Sequence, residues 1–249
     1  MDRIGIIVAL AREAACLTGR PPRPDFATAL DQHFGVILCG IGPERARRAA
    51  DQFLELGAEA LISFGTCGAL TPALPSGAIV IPDTVIFNDE TLPANNAWRA
   101  WAMRELASEP FRAQGGTLVT VDQPVADSSA KSGLHEQTGA VAADMESGAI
   151  FSAAQNAGIP AIALRVVLDG QSTELPAAVT RSCDAYGKPR YPMLLGEFLR
   201  NPRIAAKLLE LLQLARIAGA SMRLIAEHRH LLRVELSDLE PPPVAAHNR

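Results

Sequence analysis

Five short stretches carry residue types and spacings suited to chemistry. Glu13 follows the apolar run Arg3–Ala9, and a carboxylate there is a general acid or base if burial raises its pKa. Its plainer reading is a first-turn acid favoured by a helix dipole. Gly40-Ile41-Gly42 and Gly65-Thr66-Cys67-Gly68 each follow another apolar run. Such glycines let backbone amides approach a phosphate or ribose, with the Thr66 hydroxyl as a further donor, or they simply make tight turns. No GxGxxG is present there, so a dinucleotide fingerprint is absent. Ala143-Asp144-Met145-Glu146-Ser147 offers a carboxylate able to accept both hydroxyls of a vicinal diol, with the soft Met145 side chain beside a sugar. A helix cap explains Asp144 as well, but explains Glu146 poorly. Asp169 leaves the apolar run Ala161–Leu168, where an acid can protonate a leaving group or form an Asp-Gly turn with Gly170.

The elements that must position these residues alternate. Apolar runs at 3–9, 34–39, 60–65, 78–87, 117–121, 140–144 and 161–168 read as strands buried on both faces. Pro43–Leu56, Ala97–Leu106 and Ser147–Ala157 read as helices, the first with Pro43 in its opening turn and Gly57 as its stop. This alternation predicts an α/β fold: one three-layer α/β/α domain around a central mixed sheet, with sites at the carboxyl ends of strands. The domain is expected over residues 1–200. A basic amphipathic helix follows over 201–234, and the Pro-rich stretch 235–249 is expected to be disordered.

Composition narrows the classes. The chain has 249 residues, a hydrophobic fraction of 48% and a net charge of −4. It is neither disordered nor strongly nucleic-acid binding. Its four cysteines show no metal spacing, and no metal site is expected. No signal peptide or spanning segment is recognised, so a cytoplasmic location is expected. The charge is uneven. Residues 200–233 carry seven basic and two acidic side chains, a local +5 within an otherwise −9 chain.

Taken in order, Ile4-Gly5-Ile6-Ile7…Glu13, Gly40-Ile41-Gly42, Gly65-Thr66-Cys67-Gly68-Ala69-Leu70, Asp144-Met145-Glu146-Ser147 and Arg165-Val166-Val167-Leu168-Asp169 resemble the purine nucleoside phosphorylase and methylthioadenosine/adenosylhomocysteine nucleosidase family. The resemblance covers residues 3–170 and implies cleavage of the N-glycosidic bond of a purine nucleoside. It implies that Glu146 holds the ribose hydroxyls with Met145 beside the sugar, and that Asp169 donates to purine N7. It implies that Glu13 orients and deprotonates the attacking water. It implies that Gly42, Gly65, Thr66, Cys67 and Gly68 line the substrate. No cofactor is implied, phosphate being a co-substrate only in a phosphorylase. A homo-oligomer is implied.

Ser63 stands where the hexameric phosphorylases place an arginine, and Ala9-Leu10-Ala11-Arg12-Glu13 replaces their Gly-Asp-Pro loop. Both departures favour water as nucleophile. Thr66-Cys67 looks closer to the phosphorylase spelling, and Arg12, Arg45 and Arg47 are alternative phosphate ligands, so phosphorolysis stays open. The nucleosidases' base-stacking aromatic is missing from Val121–Val125, which leaves Pro124 and Val125, or Phe87 or Phe151, to cover the base. A non-catalytic nucleoside-binding scaffold would have no need for Glu13, Glu146 and Asp169 together. The long helix, with Glu174-Leu175-Pro176 and Tyr186-Gly187-Lys188-Pro189-Arg190, resembles the hopanoid-associated phosphorylases. That implies adenosylhopane as substrate and peripheral membrane contact through the basic helix. Packing of this helix on the domain is the alternative. Trp98 and Trp101 form either core or an interfacial wall.

Overall fold

The computed structural model describes residues 3–106, 113–176, 183–188, 190, 203–233 and 239. Strands β1 (Ile4–Val8), β3 (Phe34–Leu38), β4 (Ala60–Ala69) and β10 (Ala161–Asp169) run parallel as β3-β1-β4-β10. Their apolar runs are buried on both faces, as parallel strands covered by helices require. The short β2 (Thr28–Ala29) edges β3, and β5 (Ile79–Val80) pairs antiparallel with β10. Beyond β4 the polarity reverses: β9 (Ala142–Asp144) pairs antiparallel with Gly68–Ala69. The sheet continues through β8 (Thr117–Thr120), β6 (Thr84–Phe87) and β7 (Glu90–Pro93).

Side chains alternate between two cores. Ile4, Ile6 and Val8 point to a cluster completed by α1 (Ala11–Thr18), α3 (Asn96–Leu106) and α6 (Arg203–Glu227). Ile7 and Ile37 point to the opposite cluster, formed with α2 (Pro43–Glu55) and α5 (Ser147–Ala157). This is the expected three-layer α/β/α arrangement around a mixed sheet, with a sixth helix, α4 (Ser128–Thr138), beside it.

Several elements differ from their sequence reading. The 78–87 run is two strands, because Pro82 has no N–H for a ladder, and Ile81–Asp83 interrupts the pairing. Gly65–Gly68 is not a turn after a strand ending at Gly65. It lies inside β4, hydrogen-bonded to β10 as far as the Asp169↔Gly68 pair. Helix α6 packs Ala218, Met222, Ile225 and Ala226 into the core. Trp98 is fully buried, and its indole N–H donates to the Leu232 carbonyl at 2.7 Å, so it is core, whereas Trp101 stays partly exposed beneath Arg104. Apart from Leu239, the stretch 235–249 lies outside the described residues, as do Pro189 and Pro192.

Candidate active site

The reversal of strand direction between β4 and β9 sets the carboxyl end of β9 beside the last third of β4, next to the ends of β1, β3 and β10. Ligand sites in open α/β sheets form at such switch points. The acids singled out by sequence all converge here and all are buried: Glu13, Asp144, Glu146 and Asp169.

Glu13 lies in the first turn of α1, where its Oε2 accepts from the Leu10 amide at 3.0 Å, half of a capping box. Its Oε1 accepts from both the amide (2.8 Å) and the hydroxyl (2.7 Å) of Thr66. Glu13 is thus a helix-cap acid and a buried site carboxyl at once. Thr66, viewed from the sequence as a ligand donor, turns its amide and hydroxyl to Glu13. Burial raises the Glu13 pKa; the Thr66 hydrogen bonds and the Arg165 charge oppose this only in part.

Arg165, in the middle of β10, is the buried cation of the cluster. It forms an ion pair with Asp144 (2.7 Å), reaches Glu146 (3.5 Å), and donates to Ser63 (2.6 Å), Ser147 (3.1 Å) and the Thr66 carbonyl (3.4 Å). Asp144 also accepts from Thr120 (2.6 Å) and from the Ser147 amide at the start of α5. It is a structural anchor for the β9–α5 corner. Glu146 takes its second contact from the Gly42 amide at 3.1 Å. Gly42 has φ +107°, a conformation essentially closed to other residues, and that conformation aims its N–H across the site. Burial pushes Glu146 up to about 7 despite Arg165, with the nearby Asp144 charge adding to the rise. Gly65 makes room for this cluster: a Cβ there would lie 2.6 Å from Arg165 Nη1 and 3.1 Å from Glu13 Oε2.

Asp169 closes β10 opposite Gly68. Its Oδ2 accepts from Lys131 at 2.5 Å; burial raises its pKa and Lys131 opposes the rise. Met145 is half-buried beside Glu146. Cys67 is buried, its thiol pushed up by desolvation. Among the described residues no group of His, Cys, Asp or Glu is placed to hold a metal ion.

The alternative phosphate ligands have other engagements. Arg12 donates to the Ala215 carbonyl of α6, Arg47 pairs with Asp51, and Arg45 lies over the Tyr186 ring. Ser63 accepts from Arg165. Of the aromatics considered for the base, Phe151 is in the α5 core and Phe87 packs against Gly148. Sequence reasoning missed Lys131 and gave Arg165 no role. A basic residue inside the most apolar strand was the available signal for Arg165.

The family model of the phosphorylase superfamily matches residues 3–188. The chain belongs to the phosphorylase superfamily. Among curated proteins no match is found. Solved structures of this superfamily member's fold include the 5′-methylthioadenosine/S-adenosylhomocysteine nucleosidase of Helicobacter pylori, bound to butyl-thio-DADMe-Immucillin-A. It is 15% identical, with a TM-score of 0.63 over 92% of this chain and 99% of that one. The S-adenosylhomocysteine nucleosidase of Streptococcus pyogenes is 20% identical, with a TM-score of 0.61 over 85% and 96%. Futalosine hydrolase of H. pylori is 15% identical, with a TM-score of 0.63 over 92% and 98%.

Proposed function

We propose that the protein hydrolyses the N-glycosidic bond of an adenine nucleoside. The observation that carries this reading is the convergence of three buried carboxyls whose pKa values desolvation raises, Glu13, Glu146 and Asp169, at one strand-reversal seam. Cleavage passes through an oxocarbenium-like state, so the site must activate a nucleophile on one side and neutralise a leaving group on the other. Glu146 accepts the ribose hydroxyls. Glu13 takes a proton from water as its oxygen bonds to C1′. The C1′–N9 bond breaks, its electron pair passes into the purine, and Asp169 delivers a proton to N7. The engagements of Arg12, Arg45, Arg47 and Ser63 support water over phosphate as the nucleophile.

The substrate's 5′ side is a large apolar group, with adenosylhopane the compound to which the subfamily resemblance points. Support comes from α6, whose Leu209 (68%), Leu212 (45%) and Ile217 (42%) are exposed on the same helix as Lys207 and Arg216. Such a face suits an anionic lipid surface. Among the described residues no helix is long and apolar enough to cross a membrane.

Incubation with adenosylhopane, methylthioadenosine and inosine, followed by chromatography of the free base, tests the reading. Adenine release fastest from adenosylhopane is the expected result. Preference for inosine refutes the base assignment, and preference for methylthioadenosine refutes the 5′ assignment. Sedimentation with phosphatidylglycerol vesicles tests the surface. The protein is expected to pellet, and its L209S/L212S/I217S variant to stay in solution. A dimer that covers this face and ignores vesicles overturns the membrane reading.

A further inference from the structure

Lys131 is the least expected residue of the site. It projects from α4, a polar helix outside the parallel strands, yet its side chain is only 1% exposed. A lysine is almost never buried so fully without a compensating partner. Here the ammonium has three acceptors: Asp169 Oδ2 at 2.5 Å, the Gly170 carbonyl at 2.9 Å and the Thr173 carbonyl at 2.8 Å. An ammonium has three N–H donors and a neutral amine only two, so satisfying all three acceptors requires the charged form.

From this arrangement we infer that Lys131 is a positioning residue for leaving-group protonation, fixing Asp169 through one carboxylate oxygen and neutralising the charge that Asp169 acquires when its proton moves to the purine. The inference rests on the proposed role of Asp169. Because Oδ2 is engaged by Lys131, Oδ1 is the oxygen left to carry the proton to N7. When the proton leaves, Asp169 becomes a carboxylate beside a fixed cation. That interaction strengthens as the C1′–N9 bond breaks, which is the kind of contact that raises turnover rather than ground-state affinity. Lys131 does not relay the proton, since losing one of its own would leave a buried carbonyl or carboxylate unsatisfied.

Among the described residues, the other neighbours of Asp169 supply no competing charge. From β4 it faces Gly68, whose Cβ position lies 3.4 Å from Oδ2, and the thiol of Cys67, which burial keeps neutral. From the following turn it faces Gly170 and Thr173 through the shared lysine. The same ammonium pins that turn, and Gln171 ties it again to α4 through Ser132. The acid and the segment after β10 are thus held by one helix.

The test compares two leaving groups on one sugar. Methylthioadenosine needs protonation at N7. 4-Nitrophenyl 5-methylthioribofuranoside expels a stable phenolate and needs none. General acids contribute roughly 10²–10⁴-fold, and losing the partner of one should cost roughly 10- to 100-fold. K131M and K131Q are therefore expected to lower kcat on methylthioadenosine by that factor and to leave kcat on the nitrophenyl riboside within about threefold of wild type. The ratio of the two rates is independent of the fraction of protein folded, so partial misfolding cannot imitate this result. Adding K131M to D169N should cause no further loss on methylthioadenosine. Equal losses on both substrates, unchanged rates on both, or full additivity with D169N would overturn the inference. If D169N itself releases adenine at the wild-type rate, the role proposed for Asp169 fails, and that outcome is distinct from a failure of Lys131 alone.

Discussion

Replacing Glu146 by Gln should abolish turnover and stabilise the protein, and the stabilisation should depend on pH. Glu146 is buried, and desolvation carries its carboxyl from 4.5 to about 7. The folded protein therefore holds this proton more tightly than the unfolded chain does. Stability contributed by Glu146 is full below about pH 4.5 and is lost as pH rises through 7. At about 1.4 kcal/mol per pH unit, the interval corresponds to about 3 kcal/mol of stability missing at pH 8. Glutamine is isosteric, carries no charge, and keeps an oxygen for the Gly42 amide that now contacts Oε1 at 3.1 Å. At about pH 4 the two proteins should unfold at nearly the same urea concentration. At pH 8 E146Q should be more stable by about 3 kcal/mol, or about 6–12 °C in Tm for a chain of this size. Urea melts of both proteins at the two pH values decide the matter, and taking the difference cancels the titrating groups that do not interact with Glu146. A pH-independent offset, or an advantage for E146Q that shrinks as pH rises, would refute the claim that Glu146 is a carboxyl destabilised by burial.

Further outcomes follow from the same cluster. R165M removes the cation that pairs with Asp144 and Glu146 and should cost about 3–5 kcal/mol in a urea melt, the range for breaking a buried pair. E13Q, which keeps the size of the side chain but cannot take a proton from water and turns an NH2 towards a backbone amide that Glu13 accepts from, should lower kcat by roughly 10²–10⁴-fold with little change in KM. G65A places a methyl 2.6 Å from Arg165 Nη1 and should destabilise by about 1–3 kcal/mol, with lowered turnover as Glu13 and Arg165 are pushed apart. G42A forces alanine to φ +107° and should cost about 1–3 kcal/mol while raising KM, because the amide that orients Glu146 shifts.

Much of this was legible in the sequence because the parallel strands are apolar throughout and the acids follow them directly. Ser147–Ala157 and its Gly158 stop could be read outright, since the apolar spacing and the left-handed cap coincide. What escaped has physical reasons. β2 and β7 are two and four residues long, too short for an alternation to show. Helix α4 is polar along most of its length, and its buried side chain, Lys131, reaches a residue 38 positions away, which no local period reveals. Thr66 looked like a ligand donor because nothing in the sequence shows that its amide and hydroxyl face Glu13 across the β1–β4 pair. The amphipathic helix left packing and surface docking both open, and α6 does pack, with its apolar residues nearer the N-terminus still exposed.

The central claim is that water, activated by Glu13, attacks C1′. Turnover of methylthioadenosine in H₂¹⁸O with phosphate present, followed by mass spectrometry of the sugar, tests it most directly. Free adenine and a sugar carrying ¹⁸O at C1 are expected, at a rate indifferent to phosphate. An unlabelled sugar 1-phosphate, formed only when phosphate is supplied, would contradict it.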